Sequence, residues 1–231
     1  MKDRAIYFST RVFLAVMVAV CGLEFRPLAA QDFTGQAIVG LNSSQIDGDG
    51  LSGFHKPGLL LGFGAKYGFN KNSSIGPEFL FSQKGSRTSQ DQEANGFIYT
   101  RVRLTYIDIP VLYQYKTDKG FSFMGGPSFN VFVTGTYDFG NLSDIPISNS
   151  MRPVDIGFTA GLEYELAKNL SLAGRWFYST IPADKGSLQG LSAAQLRTAG
   201  WQNNVISFSL RYTVFGGQGN IQSVNPPSGG I

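Results

Sequence analysis

Residues 154–166 read VDIGFTAGLEYEL. Val154, Ile156, Phe158, Ala160, Leu162, Tyr164 and Leu166 share one face of a period-2 strand, and Asp155, Gly157, Thr159, Gly161, Glu163 and Glu165 share the other. At about 3.3 Å per residue such a strand crosses the roughly 30 Å hydrocarbon layer with length left for tilt. An apolar row opposite a row of carboxylates and glycines suits a wall with lipid on one side and a narrow polar interior on the other.

The same alternation recurs along the chain. Ile206, Phe208, Leu210, Tyr212 and Val214 alternate with Ser207, Ser209, Arg211 and Thr213. Leu59, Leu61, Phe63, Ala65, Tyr67 and Phe69 alternate with Gly62, Gly64, Lys66 and Gly68. Outward rows also run through Ile75–Phe81, Ile107–Tyr115, Phe121–Val133 and Leu170–Tyr178, with a weaker one near Phe33–Leu41. Tight turns at 70–72, 117–120 and 168–169 separate longer stretches near 42–57, 85–98, 136–152 and 183–202. Three short and four long connections join eight strands, and short turns at one end with long loops at the other are the outer-membrane pattern. The fold expected is an all-β, eight-stranded antiparallel transmembrane β-barrel. Pro77, Pro110 and Pro127 fall inside strand patterns, so each requires a bulge or an unpaired position in the ladder.

Composition agrees. Charged residues make up 15% of the 231 residues against roughly 25% for globular proteins, while aromatics reach 13% and Gly numbers 29. Lys2, Arg4 and Arg11 precede a twelve-residue apolar run at 12–23, too short to span a bilayer, and Leu28-Ala29-Ala30 precedes Gln31. Residues 1–30 are therefore expected to be a cleaved signal peptide, 31–215 the barrel domain and 216–231 a flexible Gly-, Pro- and Ser-rich tail. Cys21, the single cysteine, would leave with the leader; the Val-Ala-Val before it is a poor lipoprotein signal. Losing four basic and two acidic residues with the leader takes the net charge from +3 to about +1. No basic patch points to nucleic acid.

Tyr106-Ile107-Asp108-Ile109-Pro110, Gly125-Gly126-Pro127, Gly40-Leu41-Asn42 and the GFTAGLE stretch at 157–163 together resemble the PorT-like outer-membrane β-barrel family of Bacteroidetes. The resemblance spans about residues 31–215. It implies the barrel fold and, since most members have no assigned role, no particular activity.

The inward charges are the most informative polar set. Glu78, Asp108, Glu163 and Glu165 are expected to face Lys66, Arg175 and Arg211 across a lumen that side chains nearly fill. Such charges must pair, because an unpaired buried charge is costly. A polar path for ions or small solutes is the alternative to a salt-bridged plug, and the narrow bore of eight strands favours the plug. Tyr67, Tyr113, Tyr115, Tyr164, Trp176, Tyr178 and Tyr212 are expected membrane-interface anchors, and Trp201 joins them.

His55, the single histidine, lies near Ser43, Ser44, Ser52, Asp47 and Asp49, the raw materials of a lipid hydrolase but without a positioned triad. Asp47-Gly48-Asp49-Gly50 lacks the distal ligands of a calcium loop and reads as a turn. No metal and no cofactor is expected. Arg87, Arg101 and Arg103 either meet lipopolysaccharide phosphates or form a solvated strand extension. The partners expected are outer-membrane lipid and lipopolysaccharide, an envelope protein met by the loops, and the barrel-assembly machinery, whose C-terminal signal Tyr212–Val214 resembles.

Overall fold

A computed structural model describes residues 33–89, 93–96, 98–186 and 200–216. The expected leader and residues 217–231 of the expected tail lie outside the described residues. Among the described residues nine strands run in order: β1 (Phe33–Asp47), β2 (Lys56–Gly68), β3 (Ser73–Arg87), β4 (Thr100–Lys116), β5 (Phe121–Phe139), β6 (Leu142–Pro146), β7 (Val154–Ala167), β8 (Leu170–Ser179) and β9 (Gln202–Gly216).

Each long strand pairs antiparallel with its neighbours. β1 closes the sheet on β9 from Thr34↔Gly216 to Asp47↔Gln202, and β4–β5 pairing completes the ring. β6 pairs only with the upper part of β5, so the wall has eight staves and one short flap. Closure leaves no stave edge to recruit another chain.

The three tight turns lie at one end. In the β2–β3 turn Asn70 Oδ1 accepts from the Asn72 and Ser73 amides at 2.9 and 2.7 Å, and in the β4–β5 turn the Thr117 amide bonds the Phe121 carbonyl at 2.7 Å. The four long connections meet at the other end. The first three are shorter than the expected loop stretches, because β1, β3, β4 and β5 run on past the lipid-facing rows: β4 has 17 residues and β5 has 19, where about 9–11 suffice to span.

The prolines interrupt the ladder without shifting it. β2–β3 pairing breaks between Gly64↔Glu78 and Tyr67↔Ile75, beside Pro77. β3–β4 breaks between Pro77↔Val111 and Leu80↔Asp108, beside Pro110. β4–β5 breaks between Pro110↔Ser128 and Tyr113↔Gly125, beside Pro127. Register is the same on both sides of each gap, so the missing N–H groups account for them. Bulges fall elsewhere, as between Thr105 and Tyr106 on the β4–β5 ladder, which leaves Val133 of β5 unpaired.

Candidate functional site

Toward the short-turn end five strands send charged side chains across the bore. Arg175 of β8 forks onto Glu78 of β3, Nη1 to Oε2 at 2.7 Å and Nη2 to Oε1 at 2.8 Å. Arg211 of β9 donates from Nη2 to the same Glu78 and from Nη1 to Glu163 Oε2 of β7 at 2.9 Å. Lys66 of β2 stands 3.4 Å from that Glu163 oxygen. Inward apolar clusters flank the network, Ile38–Leu60–Leu80 on one side and Leu112–Met124–Ala173 on the other.

Above it Lys84 pairs with Asp108 at 2.8 Å, and its ammonium lies 4.3 Å from the Phe177 ring centre and 4.9 Å from that of Tyr106. Asp155 accepts from Ser179 Oγ and from Asn203 Nδ2, each at 3.0 Å. A cavity of about 30 Å³, room for one or two waters, is bordered by Asn42, Ser82, Lys84, Asp108 and Arg175. Lys66, Lys84, Arg175 and Arg211 thus stand against Glu78, Asp108, Asp155 and Glu163, four charges of each sign.

Higher still the pattern of the wall reverses. On β4, Ile107, Ile109, Val111, Tyr113 and Tyr115 point outward, opposite inward Asp108 and Gln114. Past Tyr106 the inward residues become Val102 and Leu104 and the outward ones Arg101, Arg103 and Thr105. The inward row joins a buried cluster with Ile46, Tyr106, Tyr137, Ile147, Met151, Ala183 and Trp201. Two loops supply its lid: the Arg152 amide bonds the Ala183 carbonyl at 2.8 Å, the Ala183 amide bonds the Trp201 carbonyl at 2.7 Å, and Asp184 Oδ1 accepts from the Trp201 amide at 2.8 Å. Along β4 the lower stretch is apolar outside and polar within, and the upper stretch is the inverse.

Each expected site residue has a definite place. Lys66, Glu78, Glu163, Arg175 and Arg211 meet in one network. Asp108 does not join it but pairs with Lys84, a partner the pattern held and the candidate set omitted. Glu165 is a correction: its side chain is 45% exposed and pairs with Lys116 at 2.6 Å on the short-turn rim, since the ladder shifts between Glu165 and Ala167 as the strand leaves the wall. Tyr67, Tyr113, Tyr115, Tyr164 and Tyr212 lie outward toward the short-turn end, Tyr67 against Phe33 and Tyr164 against Phe121. Trp176 and Tyr178 lie outward nearer the loops, bonded to Asn204 and Gln202, each at 2.9 Å. Trp201 is a second correction: it is 3% exposed, folded into the upper core. The signal for that core was present in residues 102–107, where apolar positions change face between Tyr106 and Ile107.

Around His55 the polar groups face other partners. Ser43 Oγ donates to the Phe54 carbonyl, and Ser44 Oγ to the Lys56 and Gly85 carbonyls. Asp47 takes Gln45 and Asn204. Asp49 takes Ser86 Oγ and the Leu51 amide, closing a turn in which Gly48 and Gly50 have φ of 101° and 84°.

A closed ring of eight antiparallel staves with an apolar outer band and a charged, hydrogen-bonded interior defines an integral membrane β-barrel of the outer-membrane type. The chain matches the outer membrane protein beta-barrel domain over residues 29–182 and belongs to that family. No curated protein matches it. Among solved structures it is similar to Ail, the attachment invasion locus protein of Yersinia pestis, at 13% identity over 79% of this chain and 99% of that one, with a TM-score of 0.46. It is similar also to Neisserial surface protein A (15% identity, 78% and 96% covered, TM-score 0.43) and to AlkL (16%, 79% and 90%, TM-score 0.40).

Proposed function

We propose that this outer-membrane barrel works through its outer surface and loops, as a non-enzymatic structural or interaction protein whose lumen is a salt-bridged plug. The observation that carries the reading is Arg211. Its side chain is 0% exposed and joins Glu78 and Glu163 from opposite sides of the bore. A permeating ion would have to displace a charge held by two partners in a low-dielectric interior. The apolar cluster beneath the loops supports the same conclusion, since its packed side chains occupy much of the bore at the loop end.

The test is conductance of the refolded full chain in planar bilayers. No steady current is expected, and a stable open current would overturn the plug. Within the outer-membrane barrels, the Tyr106–Pro110 and Gly125–Pro127 motifs support a place beside the PorT-like proteins. The leader pattern supports export with cleavage after Ala30, so that mature protein would begin at Gln31.

A further inference from the structure

The reversal on β4 marks where lipid ends on the loop side. Ile107 is the last outward apolar residue of β4, as Phe81 is of β3; above them come Thr105, Arg103 and Arg101 on one strand and Gln83, Gly85 and Arg87 on the other. Arg87 stands directly across the ladder from Arg101, and Gly85 across from Arg103. Like charges placed opposite one another destabilise a sheet. Part of this is offset: Arg101 bonds Asp138 at 2.7 Å, and Arg103 bonds Asp138 at 3.1 Å and also reaches Asp144. Arg87 has no such partner among the described residues. Lys56 adds a fourth positive charge, close enough to be repelled by all three arginines. Four cations thus stand near two carboxylates at the loop-side end of these strands.

We propose that this wall, formed by Arg87, Arg101 and Arg103 with Lys56 beside them, binds the phosphate groups of a tall outer-leaflet glycolipid of the lipopolysaccharide type. The guanidinium fork fits phosphate in two-point contact. Height selects the source. Four residues separate Arg103 from Ile107 and six separate Arg101, which at a strand tilt of about 40° is roughly 10 and 15 Å above the hydrocarbon edge. A phospholipid phosphate sits within roughly 5–7 Å of that edge, whereas a phosphorylated saccharide headgroup extends through the whole range. The assignment rests on the proposal that the outer surface is the working one, and names its partner.

The test uses refolded full-length protein in detergent, with native mass spectrometry reading bound lipid. The probes are rough lipopolysaccharide, the same material treated with phosphatase, and phosphatidylglycerol. Retention of the untreated glycolipid is expected, falling about tenfold on dephosphorylation and about tenfold in the R87Q/R103Q variant, and weakening with salt. Equal retention of the phosphatase-treated material or of phosphatidylglycerol by unmodified protein would overturn it, whatever the fate of the variant. So would complete displacement by inorganic phosphate, which would mark a free-phosphate site. Conductance on the same preparation tests the plug separately, so failure of one reading is told apart from failure of the other.

Discussion

Arg211 shows how one side chain anchors a network that spans the bore. It bonds Glu78, already forked by Arg175, and Glu163, already approached by Lys66. Truncation leaves two buried carboxylates short of a partner, so Arg211→Ala should cost about 3–5 kcal/mol. The measurement is urea unfolding in vesicles; a loss under about 1 kcal/mol would mean that water enters and screens the site. Asp49 makes a second prediction. Burial pushes its carboxyl up to about 6, against the Ser86 and Leu51 bonds that pull it down. Between about pH 4 and 6 the unfolded chain has released this proton while the folded chain still holds it. Stability therefore falls as pH rises through that window, by about 3 kcal/mol at most, and is level above it. Asp49→Asn should remove the slope, which unfolding titrations from pH 4 to 7 would show.

At the level of elements, adjacent glycines of β5 have opposite fates. Pro127 has no amide hydrogen for β4, and the Val111 carbonyl rests against Gly126, where an added Cβ would lie 2.0 Å from the oxygen. At Gly125 the nearest atom would be 3.5 Å away, an ordinary contact. Gly126→Ala should thus cost about 1–3 kcal/mol and slow barrel closure, while Gly125→Ala should leave the heat-modifiable mobility of the folded barrel unchanged. The alternation along β5 was plain in the sequence, yet the strand turns over midway. Phe129, Val131 and Val133 face outward, but beyond the unpaired Val133 the same odd-numbered row points inward at Gly135 and Tyr137. A period of two assigns residues to faces but does not say where an extra residue exchanges them.

On the plugged reading proposed above, the whole molecule has two barriers in series, the ionic network below and the apolar core above. Trimming Lys66, Arg175 and Arg211 to serine should yield little current while Trp201 and Met151 still fill the mouth. Adding Trp201→Ala and Met151→Ala should open a measurable conductance; a full current from the first variant alone would show that the upper core does not seal. The two storeys also show where sequence reading stops. Period-2 alternation, low charge, and the spacing of short turns and long loops determined by themselves the strands, the barrel class and its lipid-facing rows, because these depend only on which face each residue occupies. Only the tertiary structure decided that Asp108 meets Lys84, that Glu165 leaves the lumen for Lys116, and that Trp201 turns from interface to core. Those outcomes depend on register, bulges and loops folded back over the mouth, all of them set by contacts between residues far apart in the chain.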